Sequence, residues 1–328
     1  MDRIYIEKGI ADHPRTRAIL DRHPKSTRIE CERYAEVFNP RSQNFRLQKK
    51  RPALILAEKH GNSVLPTPPG YSIGSSDNFY FSHMLNCLYD CRYCFLQGMY
   101  QSAHFVHFVN YEIFEEQIDE VIRDSEGTAC FFSGYDCDSL AMESMTGFAE
   151  HFVPFFQERP NACLELRTKS LNTGVLEKCE PAPNIIAAFT LSPDPVAKEF
   201  EHGAPSFERR LQRVESLTEQ GWIVGLRLDP LIPWPGFEEV YGEMLNQIFE
   251  RVPSASIHSV TTGGMRFPKA MYDRIVKLYP KDPLFALAEM KTLNGQVAFP
   301  PEVERGMLDF VLNRLGEKLP GDKIFEQV

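Results

Sequence analysis

From residue 78 onward, apolar positions alternate between two textures. Short runs, several of them continuously apolar, read as strands buried on both faces. They are Phe79-Tyr80-Phe81, Ala129-Cys130-Phe131-Phe132, Cys163 to Thr168, Ile185 to Leu191, Ile223 to Leu228 and Ile257 to Val260. Between them lie stretches with apolar residues at three- and four-residue spacing, which predict helices over Ile113–Asp124, Leu140–Phe156, Phe207–Gln220 and Val240–Phe249. Gly221 closes the third of these, and Asp194-Pro195 opens a further helix. Two more helices are expected near Ala270–Leu278 and Val303–Leu315. Strands alternating with helices predict a parallel sheet, and six such units predict an α/β fold with a partial (β/α)6 TIM-type barrel, an arc rather than a closed ring.

The first 77 residues have a different texture. Arg3 to Glu7 alternates like a short strand, Arg17 to Asp21 looks helical, and Pro52 to Ala57 is a short apolar strand. Residues 62–76 contain Pro66, Pro68, Pro69, Gly70 and Gly74, which is loop chemistry. The pattern therefore predicts a small N-terminal α/β domain over 1–77, and a barrel domain with a C-terminal helical extension over 78–328.

Composition supports a sizeable core, with 43% hydrophobic and 12% aromatic residues in 328. No apolar run is long enough to span a membrane, so no membrane partner is expected. The segment Met1–Glu7 has no apolar signal core, which predicts a cytoplasmic protein. Net charge is -9 but unevenly spread. Residues 1–60 hold 14 Lys+Arg against 8 Asp+Glu, a balance of +6, while the remainder holds 22 against 37, a balance of −15. Such asymmetry fits a basic nucleic-acid-facing segment and fits a solvated face equally well.

The chemistry concentrates in Cys87-Leu88-Tyr89-Asp90-Cys91-Arg92-Tyr93-Cys94. The other five cysteines have no comparable spacing. Three thiolates this close suit three corners of a cubane iron–sulfur cluster, leaving one iron open to bind something else. A structural zinc site is the competing reading, but it normally needs a second paired knuckle, and none is present in the sequence. Neither a phosphate-binding loop nor a dinucleotide fingerprint occurs.

With these residues in view, the chain resembles radical S-adenosylmethionine enzymes, and within them the spore photoproduct lyase family. Four segments carry the resemblance: Cys94-Phe95-Leu96-Gln97, Arg167-Thr168-Lys169, the stretch from His202-Gly203-Ala204-Pro205 to Leu211, and Arg266-Phe267-Pro268-Lys269 with Leu278-Tyr279-Pro280. The resemblance implies a [4Fe–4S] cluster on Cys87, Cys91 and Cys94. It implies S-adenosyl-L-methionine at the open iron, cleaved after one-electron reduction to a 5′-deoxyadenosyl radical. A reductant such as flavodoxin or ferredoxin is an implied partner. Lys169 and Ser192, each at a strand end, are candidates to hold the methionyl carboxylate, and Tyr93 is a candidate cofactor contact. Damaged DNA is the implied substrate, with cleavage of pyrimidine photodimers, a carbon–carbon lyase reaction of DNA repair.

The chain also departs from the family. The cysteine that returns a hydrogen atom there lies three residues before an aspartate that resembles Asp138, so Tyr135 takes its place here. Cys137 stands two residues further on. Both are candidate donors. Phe95 replaces a tyrosine after the third motif cysteine, and Lys291 to Gln296 lacks the family's Arg-Tyr pair. His104 and His107 read as packing or supporting groups rather than metal ligands. Two other functions remain open: a radical enzyme of this architecture with a different substrate, and a non-catalytic zinc or iron–sulfur binding protein.

Overall fold

In the computed structural model, which describes residues 1–327, the apolar runs become neighbouring strands of one curled sheet. From edge to edge its order is Ile324–Glu326, Ile257–Thr262, Ile223–Arg227, Ile185–Thr190, Ala162–Thr168, Ala129–Phe132, Asp77–Phe81 and Val64–Pro66. All neighbours are parallel except the last pair. The two edge strands do not pair with each other, so the sheet is an open arc, as the six-unit reading expects. Each edge carries one strand beyond those six. Both are three residues long, too short to leave a period, and one lies inside the proline-rich stretch.

Ala129–Phe132 and Ile185–Thr190 are buried at every residue. Helices cover their outer face, and side chains fill the concave one. The expected helix over Leu140–Phe156 is divided. Gly147, at φ +61°, ends Glu143–Thr146 and begins Phe148–Gln157. The Glu143 carboxylate then accepts from the N–H groups of Ala149 and Glu150 at 2.9 Å each, capping the second piece.

A second sheet holds the N-terminal strands Thr27–Cys31, Arg3–Glu7 and Leu54–Ala57. It continues into Phe105–Phe108 and Met84–Leu85, while Val64–Pro66 joins the arc. Hydrogen bonding therefore crosses residue 77 in both directions. The chain leaves the arc at Phe81, enters the second sheet at Met84, makes the cysteine loop, and returns to that sheet at Phe105. The loop is thus anchored at both ends. Asn86, in the left-handed region at φ 70°, ties those ends together by donating to the carbonyls of Ser102 at 2.8 Å and His104 at 2.7 Å.

Two histidines beside this junction are buried in neutral form. Burial lowers His104 to about 4 and His107 to about 3, and the Ala53 N–H donates to His104 Nδ1 at 3.1 Å. An unfolded histidine gains its proton near pH ~6.5. Below that pH the unfolded chain binds more protons than the folded one, so stability falls as pH drops toward the folded values. Urea unfolding should show a lower midpoint at pH 5 than at pH 7, and the double variant His104→Gln, His107→Gln should lose less over that interval. An equal loss in both proteins would contradict the assignment.

Candidate active site

At the carboxyl ends of the arc strands lies a cavity of about 400 Å³. Cys87, Cys91 and Cys94 line it, together with Tyr93, Tyr135, Cys137, Asp138 and Lys169. The loop after the first strand, the loop after the second and the end of the third thus meet at one place, where barrels of this kind keep their chemistry.

The cysteine loop has little regular structure, and named contacts hold it. Asp90–Cys91 pairs antiparallel with Glu201–His202, and the Arg92 N–H donates to the Phe200 carbonyl at 2.9 Å. Asp90 pairs with Lys49 at 3.3 Å and Arg92 at 2.9 Å, and accepts from Gln97 Nε2 at 2.8 Å. Burial pushes the Asp90 carboxyl up, but Lys49 and Arg92 outweigh it and hold the group below the usual range. Arg92 also pairs with Asp282 at 2.9 Å and lies over the Tyr279 ring at 4.0 Å. Tyr279 donates to Gln97 Oε1 at 3.2 Å. A Cβ on Gly98 would lie 2.5 Å from the Met271 carbonyl oxygen, so a bare backbone is needed where the helix Lys269–Leu278 crosses the loop. The C-terminal elements of the sequence pattern therefore act here by bracing the cysteines.

Glu201 was not legible as a site residue. It is buried beside an equally buried Arg210, which pairs with it and donates to the Thr190 carbonyl at 2.8 Å. Tyr93 donates its hydroxyl to Glu201 Oε1, and Ser192 donates to the same oxygen at 3.0 Å. Burial raises the Glu201 carboxyl, but Arg210, then Lys169, bring it below its ordinary value. The signal available was a charged residue just before His202-Gly203, with an arginine nine positions later, both on otherwise apolar faces. Ser192 does not line the cavity, and its hydroxyl is spent on Glu201. Tyr93 lines the cavity with its ring.

Lys169 follows the third strand. Its Nζ lies 5.5 Å from the Tyr93 ring centroid and makes no ion pair among the described residues. Its backbone N–H donates to Asp138 at 2.7 Å, and Thr168 Oγ1 donates to the same carboxylate at 2.6 Å. Leu140 and Ala141 N–H groups complete the cradle at 3.0 and 2.8 Å. Asp138 thereby fixes the loop that carries both candidate donors. Tyr135 stacks on Tyr80 at 4.4 Å and leans on Phe95 at 5.7 Å. Cys137 Sγ lies 3.9 Å from His83 Nδ1 and 3.8 Å from the Ser133 carbonyl oxygen. Both reach the cavity wall.

The other cavity cations are neutralised. Arg167 pairs with Asp229 at 2.6 Å, and Arg266 pairs with Glu304. Behind them Arg227 pairs with Glu165 at 2.7 Å.

The donor set fits an iron–sulfur cluster. Cys87, Cys91 and Cys94 are free and line the same cavity as Lys169, whose ammonium has no ion-pair partner among the described residues. Burial pushes the Cys87 thiol up to about 12 and raises Cys91 and Cys94, while Lys169 acts against it on all three. Among the described residues no three His, Cys, Asp or Glu side chains gather as ligands of one ion.

A model of the family described as spore photoproduct lyase matches residues 75–295. A spore photoproduct lyase of Bacillus subtilis strain 168 is 23% identical over 202 residues, covering 60% of this chain and 59% of that protein. One of Clostridium acetobutylicum is 21% identical over 291 residues, covering 86% of this chain and 83% of that protein. A solved spore photoproduct lyase variant with bound AdoMet and dinucleoside spore photoproduct superposes with a TM-score of 0.82 at 17% identity, over 100% of this chain and 98% of that one. Another, complexed with dinucleoside spore photoproduct, gives 0.80 at 17% identity, over the same shares of both chains. At that identity the structural likeness speaks for the fold. Among the described residues, no helix is long and apolar enough to cross a membrane.

Removing one partner of a buried ion pair costs about 3–5 kcal/mol, because the other charge stays buried alone. Glu201→Gln should lose stability on that scale in urea unfolding, and the double variant Glu201→Gln, Arg210→Met should recover part of it. The Glu201 contribution should be present at neutral pH and fade as pH falls through its lowered value. A Glu201→Gln protein as stable as wild type would contradict this role.

Proposed function

The chain belongs to the spore photoproduct lyase family, and from that premise we propose that it is a radical S-adenosylmethionine lyase that splits pyrimidine photodimers in DNA. One observation carries the reading. The three motif cysteines, Lys169 and both candidate hydrogen donors line a single cavity. Cys87, Cys91 and Cys94 would hold a [4Fe–4S] cluster. With S-adenosylmethionine bound, the cofactors supply a radical that abstracts hydrogen. The chain's own residues bind, orient and shield. Lys169, which has no carboxylate partner among the described residues, would hold the methionyl carboxylate. Tyr93 presents an aromatic face beside it, its hydroxyl held by Glu201. Ser192 acts through Glu201, by fixing that carboxylate, rather than by touching the cofactor.

In the same cavity, Cys137 and Tyr135 hold hydrogen atoms that a substrate carbon could take. Burial disfavours the Cys137 thiolate and pushes the group well above its ordinary value, which keeps the S–H bond intact. Tyr135 lies stacked on Tyr80, which fixes its ring plane. The protein would work in the cytosol, where thiols stay reduced. The neutralised Arg167 and Arg266 favour one second reading: the same machinery acting on a substrate without phosphates at that end of the cavity.

The direct test is anaerobic reconstitution followed by incubation with S-adenosylmethionine, reductant and lesion-bearing DNA. Repaired pyrimidines are expected. Formation of 5′-deoxyadenosine without repair would favour the second reading. Under the same conditions Cys137→Ala should still form 5′-deoxyadenosine but give misquenched product, such as adducts with dithionite-derived radicals. Tyr135→Phe should then repair normally, and the converse pattern would make the phenol the donor. Clean repair by the double variant would exclude both.

Lys169→Ala should weaken S-adenosylmethionine binding by roughly 1.5–3 kcal/mol, the worth of a hydrogen bond to a charged group. Equilibrium dialysis against labelled cofactor reads this directly, and unchanged affinity would remove Lys169 from the site.

A further inference from the structure

Between Glu36 and Glu58 the chain carries no acidic residue and five basic ones, Arg41, Arg46, Lys49, Lys50 and Arg51. The helix Phe45–Lys50 in this stretch is braced against the cysteine loop. Lys49 donates to the Tyr89 carbonyl at 3.5 Å and pairs with Asp90 at 3.3 Å, both between the first two motif cysteines. The other four basic side chains are exposed and make no ion pair among the described residues. Three large hydrophobic side chains are exposed among the described residues, and two of them belong here. Leu47, 61% exposed, is on the helix, and Leu88, 48% exposed, is in the loop beside Cys87. None of residues 38–57 lines the cavity. This surface therefore touches the cysteine loop through Lys49 without itself lining the cavity.

We propose that this surface docks a small acidic protein that carries a one-electron cofactor, a flavin or an iron–sulfur centre. The inference rests on the reading that Cys87, Cys91 and Cys94 hold an iron–sulfur cluster, and it names where the electron enters. One electron leaves the carrier's reduced cofactor, which is oxidised by one equivalent, and the group at the three thiolates is reduced by one equivalent. No bond is made or broken. Exposed leucines with a basic rim have the composition of a transient protein contact, an apolar centre and a charged margin. Opposite charge raises the encounter rate with an acidic carrier. A nucleic acid would be drawn by the same cations, but its phosphates gain nothing from Leu47 and Leu88.

The test uses the reconstituted protein and a purified acidic flavodoxin as the probe. Arg46→Glu, Lys50→Glu reverses two exposed charges and leaves Lys49, which braces the loop, in place. Titration at low salt should show flavodoxin affinity reduced at least ~10-fold in this variant, with a flatter salt dependence. Leu47→Ser should weaken binding without changing the salt dependence. Reduction by a small neutral photoreductant should proceed at the wild-type rate, which shows that the cluster itself is undisturbed. Wild-type flavodoxin affinity in the double variant would overturn the proposal. So would a loss confined to duplex DNA, which would make this a nucleic-acid surface. A wild-type protein that binds flavodoxin in this charge-dependent way but repairs no photodimer would refute the lyase reading and leave the docking surface standing.

Discussion

The ion pair of Glu201 with Arg210 is buried completely, its side chains 1% and 0% exposed, and the cysteine loop is assembled around it. Taking two charges out of water costs several kcal/mol each, so such a pair persists only where its remaining hydrogen-bonding capacity is satisfied. Here it is. Tyr93 and Ser192 donate to one carboxylate oxygen, Arg210 takes the other, and Arg210 also reaches the Thr190 carbonyl. The backbone of Glu201 pairs with Cys91. Glu201, by backbone and carboxylate, and its partner Arg210 therefore fix a motif cysteine, the motif tyrosine and the end of the fourth strand together. On the loop's other side Asp90 does related work through Lys49, Arg92 and Gln97. A loop with almost no secondary structure is held by two carboxylates and their cations.

The arc was legible because its strands are buried on both faces and leave unbroken apolar runs, as in Ile185–Thr190. The cysteine triplet was legible because its spacing is local. What escaped the sequence depends on partners far along the chain. Phe105–Phe108 looks like aromatic packing until Leu54–Ala57 lies beside it. The division at Gly147 depends on a glycine in the left-handed region and on the Glu143 carboxylate capping the next helix. Ser192 was readable as a strand-end hydroxyl, but not as a ligand of Glu201, because nothing local links the two. Lys169 and Cys137 were placed by resemblance, and they meet at one cavity through the Asp138 cradle, whose donors come from Thr168, Lys169, Leu140 and Ala141.

The charge pattern of the cavity separates binding from chemistry. Arg167 and Arg266 are matched by carboxylates, and Lys169 is not. Among the described residues the unmatched cation of the cavity is Lys169, which acts on all three motif cysteines and would meet an anionic group on a cofactor there. The aromatic and thiol side chains of Tyr135 and Cys137 form another part of the wall, beside Phe95. Neutral walls do not compete with a reacting carbon by hydrogen bonding, and they exclude solvent from it. The exposed cations on residues 41–51 do not line this cavity.

The account stands on the cysteine loop holding a cubane with one iron open to S-adenosylmethionine. Mössbauer spectroscopy of protein reconstituted with Mössbauer-active iron, before and after adding S-adenosylmethionine, reads this site by site. The expected result is that about one iron in four changes its spectrum on addition, since three are held by thiolates. Equal behaviour of all irons with and without S-adenosylmethionine, or retention of the full spectrum when Cys87, Cys91 and Cys94 are all replaced by Ala, would contradict it.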